Sequence, residues 1–290
     1  MILTGAFLAD AAAAVDNKLN VQGGVLSRFA VGPDRLARFV LVVLTQAEPD
    51  SSDRDITVEM RPPTDDEPIR LNFEAPEAAV AEFPGFAFFE IQLRLPVNGR
   101  WVLVVTGGTG AISLPVLVSD MPATIGFWRA GLERRPPGLC RKVVPCTSSI
   151  PTTQLDSADR ADTQPSGRFG SVIVGAFLAE AASVVDNKLN VSGGVLYRFA
   201  VDPDRSAQFL LVVLTQAETD DPDRRVDVEV WPPTGDDAHH IEFELPEAAV
   251  AAEVGFAIFR IEVNLPVDGR WVLVVTGGAG TISLPLIVTG

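Results

Sequence analysis

A short polar motif occurs twice in the sequence, and its carboxylate, amide and ammonium groups could bind a polar ligand or a partner protein. Asp and Asn side chains also bond to their own backbone in β-turns, so a plain turn is the alternative. These side-chain bonds favour the turn, and a recognition loop at one end of the sandwich is the candidate binding site. The residues are Asp16, Asn17, Lys18 and Asn20 in the first copy, and Asp186, Asn187, Lys188 and Asn190 in the second.

A glycine-rich segment at 104–112 is similar to the start of a dinucleotide-binding unit. Such a unit needs a helix after the glycines, so that the N-terminus of the helix faces the pyrophosphate. The residues that follow, Ser113-Leu114-Pro115-Val116, are typical of a strand that contains proline. The segment therefore predicts a glycine hairpin, and we expect no nucleotide or other cofactor.

The histidines of the chain are the adjacent pair His239 and His240. Adjacent residues of a strand point to opposite faces, whereas a metal site or a catalytic triad needs side chains that converge. We expect both histidines at the surface, no metal site and no catalytic residue.

Two alternatives stay open. The first is an enzyme that uses a pair of carboxylates brought together by folding, with Asp10, Asp16, Glu48 and Asp55 as candidates. The second is a carbohydrate-binding sandwich, but its aromatic candidates Tyr197 and Trp231 have no aromatic counterpart in the first copy.

The elements that position these residues repeat at a constant spacing of 170 residues. Pro62-Pro63-Thr64 returns as Pro232-Pro233-Thr234, and Gly99-Arg100-Trp101 returns as Gly269-Arg270-Trp271. Because the register holds without a gap, the chain consists of two copies of one module. We place the modules at 1–119 and 171–290, joined by a linker at 120–170.

Each module has the pattern of an antiparallel β-sandwich. The segments 89–95 and 259–265 alternate strictly between apolar and polar residues, which is typical of a strand with one buried face. The apolar run 39–47 indicates a central strand, and 19–31 predicts one strand that contains Gly23-Gly24. Turn signals between short strands, with no convincing long helix, predict an all-β fold of two tandem immunoglobulin-like sandwiches.

The linker has no counterpart in either module and is rich in Pro, Ser and Thr. Residues 125–135 are compatible with a short helix. Cys140 and Cys146, the only cysteines, lie in this linker, so neither module uses a disulfide. That usage is typical of a reducing compartment.

The formal net charge of −15 disfavours nucleic acid and anionic membrane surfaces as partners. The apolar N-terminus lacks the basic residues of a signal peptide, and its equivalent lies inside the chain at 175–185. We therefore expect a cytoplasmic protein. A protein partner is expected, and either pairing of the two modules within the chain or a homo-oligomer is compatible with the repeat.

The motifs Gly5-Ala6-Phe7-Leu8-Ala9-Asp10, Asp16-Asn17-Lys18-Leu19-Asn20-Val21 and Gly99-Arg100-Trp101 resemble those of a bacterial family of small single-module proteins of unknown function. The resemblance covers nearly all of each module and none of the linker. It implies a compact immunoglobulin-like sandwich and assigns no activity, cofactor or catalytic residue. Together with the motifs above, it predicts a non-catalytic binding or scaffolding protein whose modules fold separately.

Overall fold

The computed structural model describes residues 1–48, 53–80, 84–108, 110–121, 170–218, 224–235, 237–278 and 280–290. The predicted helix at 125–135 and the pair Cys140 and Cys146 lie outside the described residues. Within those residues nearly all secondary structure is β, which confirms the all-β class. None of the described helices is long and apolar enough to cross a membrane.

The described residues of the first module form nine strands and a short 3-10 turn at Glu77–Val80. The strands form a four-strand layer in the order β2-β1-β4-β7 and a five-stranded sheet in the order β3-β9-β8-β5-β6. Their bounds are β1 Ile2–Val15, β2 Lys18–Gly24, β3 Arg28–Val31, β4 Leu36–Gln46, β5 Asp55–Arg61, β6 Ile69–Glu74, β7 Gly85–Arg94, β8 Gly99–Gly107 and β9 Gly110–Asp120.

The second module repeats this arrangement, with layers β11-β10-β13-β16 and β12-β18-β17-β14-β15. A short helix, α1 at Glu247–Ala251, replaces the 3-10 turn. The strand bounds are β10 Gly170–Val185, β11 Lys188–Gly194, β12 Arg198–Ala200, β13 Ser206–Glu218, β14 Arg225–Trp231, β15 His239–Glu244, β16 Val254–Asn264, β17 Gly269–Gly277 and β18 Gly280–Thr289.

Each module has its own apolar core between its two layers. Phe39, Leu41 and Val43 of β4 point into the first of these cores, as the alternation of a strand requires. Trp101 of β8 is buried there, and its indole N–H donates to the carbonyl of Val97 at 3.1 Å. The predicted glycine hairpin is confirmed, because Gly107 pairs with Gly110 where β8 turns into β9.

The prediction of a single strand over 19–31 is wrong. The segment divides into β2 and β3, which belong to different layers. Val25 has a φ of 62°, which a β-branched residue adopts only under strong tertiary constraint. The break turns the chain from one layer to the other, so the glycine pair lies at the end of β2 and not in the middle of a strand.

The two modules join through β2 and β11, which pair antiparallel and merge the four-strand layers into one eight-stranded sheet. Val21 pairs with Val191, its own counterpart 170 residues later, and Leu19 pairs with Gly194 as Leu189 pairs with Gly24. Exchanging each residue for its counterpart in the other module therefore reproduces the same set of pairs. This self-complementary pairing is that of a two-fold axis, here between two copies in one polypeptide.

A third apolar core lies between the modules. Three strand spacings separate β1 from β10 in the sheet, about 14 Å if the sheet were flat. Yet the rings of Phe7 and Phe177 stack with centroids 6.3 Å apart, and a Cβ on Gly5 would lie 3.1 Å from the Cα of Gly175. The sheet therefore curves until its two halves face each other.

This inter-module core takes the second face of the central strands. In the run 39–47, Val40, Val42 and Leu44 point into it, while the alternate residues serve the module core. We call the β2–β11 pairing and this core the seam. The apolar run is thus continuous because both faces of β4 are buried. The buried residues of the seam core are Phe7, Ala9, Leu19, Val21, Val25, Val40, Val42, Leu44, Phe177, Ala179, Leu189, Val191, Val195, Val212, Leu214 and Val254.

Truncation of the seam core should destabilise the whole protein. Leu19 and Leu189 are fully buried, so Leu19→Ala or Leu189→Ala should each lower the free energy of unfolding by about 2–5 kcal/mol. Val185→Ala is the control, because Val185 is 55% exposed at the tip of the neighbouring hairpin and should cost about 0.5 kcal/mol or less. Urea denaturation measures all three; leucine variants as stable as the control would show that the seam does not form.

The first module expressed alone, as residues 1–120, should form a homodimer. Removal of the second module leaves the β2 edge and the seam face uncovered, and a self-complementary surface can pair with a second copy of itself. Analytical ultracentrifugation should give twice the mass of the fragment. A monomer that unfolds cooperatively would contradict this, and would show that each module is stable with its seam face in water.

Candidate functional site at the seam

The two polar motifs form the tips of the hairpins β1–β2 and β10–β11. Asp16 and Asn17 are the two central residues of the first turn, with φ values of 51° and 58° between the paired residues Val15 and Lys18. A two-residue turn with positive φ at both positions is type I′, for which Asp and Asn are favoured because they tolerate the left-handed region. Asp186 and Asn187 repeat the turn in the second module.

The motif lysines reach across the seam. Lys18 forms an ion pair with Glu180, and the Nζ of Lys188 lies 2.7 Å from Oδ2 of Asp10. Position 180 is the counterpart of position 10, so the two ion pairs obey the same two-fold relation as the strands. Their members are between a third and a half exposed, so each pair should contribute only about 0–1 kcal/mol.

The motif asparagines also bond across the seam. The backbone N–H of Gly23 donates to Oδ1 of Asn190 at 3.0 Å, and that of Gly193 donates to Oδ1 of Asn20 at 3.3 Å. Gly23 has a φ of +62°, and a Cβ at this position would overlap the carboxylate of Asp10. The glycine pair thus lets the backbone approach the partner module closely.

Module pairing therefore explains five of the candidate residues: Asp10, Lys18, Lys188, Asn20 and Asn190. Sequence reasoning missed this role. The signal available was the glycine pair in a segment with a strand pattern, which indicates close approach of another backbone. The sequence does not say which backbone approaches, because both strands are copies of one motif.

Two clefts open at the ends of the seam, and they are related by the same two-fold axis. Each is walled by the hairpin tip and the start of the outermost strand of one module, and is completed by residues of the other module. One has a volume of about 370 Å³ and the other about 670 Å³. Both are lined at matched positions by Asn17 or Asn187, Pro76 or Pro246, Ala78 or Ala248, Gly85 or Gly255, Phe86 or Phe256, and Ala87 or Ala257.

A buried threonine fixes one wall of each cleft. The hydroxyl of Thr215 donates to the carbonyl of Ala249 at 2.8 Å, and Thr45 makes the same bond to Ala79. These bonds hold α1 and the 3-10 turn against the sheet. A Cβ on Gly255 would collide with the Ala249 carbonyl, so glycine is required for this close approach.

The candidate carboxylates of an enzyme lie in different surroundings. Asp10 pairs with Lys188, Asp16 is in the hairpin turn, and Asp55 begins β5 in the other layer. Glu48 accepts from the amine of Met1 at 3.1 Å. In the described part of the chain, no three His, Cys, Asp or Glu side chains are grouped to hold a metal ion.

Two carboxyl groups outside the seam have shifted pKa values, and both shifts are downward. The hydrogen bond from Arg61 lowers the pKa of Glu59, with Arg70 also contributing, and the hydrogen bond from Arg205 lowers the pKa of Asp268. A lowered pKa keeps a carboxylate ionised, which suits an ion pair and not a general acid.

The aromatic and histidine candidates are dispersed. Tyr197 lines the smaller cleft, whereas Trp231 ends β14 and donates from Nε1 to Glu229 at 3.0 Å. His239 and His240 are both exposed on β15, and Nδ1 of His240 lies 3.7 Å from Glu229.

No family profile matches the chain, and no curated protein matches it. Solved structures overlap with it at low similarity, among them three that cover most of this chain. Dimeric latent PorU from Porphyromonas gingivalis is 11% identical with a TM-score of 0.27, over 99% of this chain and 20% of that one. Dpr2 Ig1-Ig2, in a complex with DIP-Theta Ig1-Ig3, is 8% identical with a TM-score of 0.20, over 91% of this chain and 63% of that one.

The third structure, domains 5-6 of the S-layer protein SbsC, is 10% identical with a TM-score of 0.16, over 91% of this chain and 95% of that one. At such scores the overlap assigns neither a fold family nor a function. The family resemblance of the motifs therefore remains an interpretation of the sequence.

The asparagines of the motif should matter more to stability than its lysines. Asn20→Ala with Asn190→Ala leaves two partly buried backbone N–H groups without their acceptor, and should cost about 1–3 kcal/mol in total. Lys18→Met with Lys188→Met removes two exposed ion pairs of about 0–1 kcal/mol each and should cost about 0–2 kcal/mol in total, falling as salt is raised. Urea unfolding at two salt concentrations compares them. A larger loss of stability in the lysine variant would show that ion pairs stabilise the seam more than the backbone hydrogen bonds do.

Proposed function

We propose that this chain is a non-catalytic binding protein, in which two immunoglobulin-like modules act as one body and hold a ligand at their boundary. The observation that carries the proposal is the pair of clefts at the ends of the seam. Each is lined by residues of both modules, so pairing of the modules completes both clefts.

The strand order supports the immunoglobulin-like part of the proposal. In such sandwiches strands A, B and E neighbour one another in one sheet, and C, F and G in the other. Here β1-β4-β7 and β5-β8-β9 follow those neighbour relations, with β3 running parallel to β9. Two strands remain: β6 extends the second sheet beside β5, and β2, an addition to this plan, is the strand that pairs the modules.

The size and lining of the clefts support ligand binding. Sites for small molecules typically have volumes of about 300–1,000 Å³, mostly apolar walls and a few polar groups. Both clefts fall within this range, with Phe86 or Phe256 as the aromatic wall and an asparagine amide at the rim.

The lining also supports a role without catalysis. Among the described lining residues there is no histidine or cysteine to activate a nucleophile, and Lys188 of the larger cleft is engaged by Asp10. A serine nucleophile is typically activated by an adjacent histidine, and the described lining around Ser27 contains none.

A protein partner is the second candidate, and the sheet edges favour it. The terminal strands β7 and β16 of the eight-stranded sheet each pair on one side only among the described strands. An extended segment of another protein can add to such an edge through backbone hydrogen bonds, with side chains entering a neighbouring pocket. Both clefts border these strands, at Phe86 and Phe256.

Binding without turnover can be tested with a defined panel of apolar acids, neutral aromatics, sugars and extended peptides. A ligand present at a hundred times its Kd should stabilise the full chain by about 2.7 kcal/mol, visible as a rise in Tm. Mass spectrometry after incubation should recover the ligand unchanged. A converted ligand would contradict the absence of catalysis.

The matched control is the double variant Val21→Asp with Val191→Asp, which places two carboxylates in the seam where these valines pair. Circular dichroism establishes that its modules remain β-structured. We expect the ligand to lose its effect on this variant. A ligand that stabilises both proteins equally would place the site away from the module boundary.

A further inference from the structure

Among the positions that line both clefts, the largest difference is at the one that the opposite module contributes. Ser27 lines the larger cleft, and its counterpart Tyr197 lines the smaller one. We name them the Ser27 cleft and the Tyr197 cleft. The other described lining positions that differ exchange one apolar residue for another: Ala14 for Val184, Pro84 for Val254, and Phe88 for Ile258.

At the Tyr197 cleft the protein itself supplies an aromatic ring and a cation for it. The guanidinium carbon of Arg198 lies 5.4 Å from the centre of the Tyr197 ring, within the range of a cation–π contact. The cleft that receives this ring retains a volume of about 370 Å³.

At the Ser27 cleft the counterpart of Arg198 is again an arginine, but the counterpart of Tyr197 is a serine. Arg28, the counterpart of Arg198, lines this cleft and is exposed, and no ion pair of Arg28 occurs among the described residues. The free volume is about 670 Å³. An arginine in this state can bind an anion and stack on an aromatic face at the same time.

The walls of the Ser27 cleft continue the apolar surface of the seam core. Val254 is part of that core, and Phe256 and Ile258 pack against it from β16. Two further charges stand at the rim: Lys188, which Asp10 neutralises, and the carboxylate of Asp186. Arg28 is thus the cation that remains for a ligand.

From this asymmetry we propose that the Ser27 cleft binds a small aromatic anion, an aromatic carboxylate or sulfonate. Its ring takes the place that Tyr197 has in the other cleft and packs against Phe256 and Ile258, and its acidic group pairs with Arg28. The proposal rests on the proposed function and names its ligand class. Because the net charge of −15 opposes any anion at long range, the ring contacts must supply part of the affinity.

Anilinonaphthalene sulfonate tests this on the full chain, because it is an aromatic anion whose fluorescence rises in an apolar site. Its neutral analogue N-phenyl-naphthylamine lacks only the sulfonate. We expect saturable binding at a single site per chain, weakened about tenfold or more by Ser27→Tyr, a change of at least 1.4 kcal/mol. Arg28→Gln should weaken binding of the sulfonate and leave that of the neutral analogue unchanged.

The repeat provides the controls. Ser27→Tyr introduces the residue that the second module has at the matched position, and unfolding curves confirm that the variant is folded. Arg198→Gln is the matched control for Arg28→Gln and should leave sulfonate binding unchanged. Tyr197→Ser should open the second cleft and add a second site.

In these titrations three outcomes overturn the proposal: no saturable binding, binding that Ser27→Tyr leaves intact, or equal loss of the anionic and neutral compounds in Arg28→Gln. Displacement of the fluorophore by dodecanoate but not by naphthoate would replace the aromatic ligand with an acyl chain and would also overturn it. If another class of the panel binds at the seam while the sulfonate does not, the proposed function stands without this ligand class. If nothing binds, both are wrong.

Discussion

The pairing of β2 with β11 is the interaction on which the rest of the structure depends. In a separate module β2 would be an edge strand with unpaired backbone groups, next to a sheet face rich in valine and leucine. Pairing of β2 with β11 satisfies the backbone groups of both edges, and it brings the two apolar faces together as the seam core. The long strands β1 and β10, the curved sheet and the clefts at its ends all follow from this contact. β2 and its counterpart β11 are therefore the strands that convert a tandem repeat into one body.

Magnitudes decide which groups hold the seam together and which orient it. Each buried valine or leucine of the seam core contributes about 1.5–3 kcal/mol relative to exposure, whereas an exposed ion pair such as Lys188 with Asp10 contributes about 0–1 kcal/mol. Apolar burial therefore supplies the stability. The bonds from Gly23 and Gly193 to the opposite asparagines are directional, and a slip of one residue would break both. They set the register in which the apolar faces meet.

Duplication within one chain lets the two halves of a symmetric interface diverge, which a homodimer of identical chains cannot do. Arg100 pairs with Glu253 at 3.0 Å across the modules. The counterpart of Glu253 is Phe83, so the matched ion pair cannot form. Ser27 and Tyr197 differ in the same way, and they line two clefts of unequal volume at equivalent places. A symmetric scaffold thus carries two clefts with different linings, and such clefts can differ in the ligand that they bind.

The sequence by itself determined the repeat, the all-β class and most strands, because period-two patterns such as 89–95 depend only on which side chains meet the core. It also indicated the Asp-Asn turns, whose backbone angles are a local property of those residues. Only the tertiary structure decided that residues 19–31 divide between two layers, that both faces of β4 are buried, and that Asn20 and Asn190 bond across the seam. The reason is physical: the edge of a strand consists of backbone groups that every residue carries, so a sequence does not show which edge will meet which.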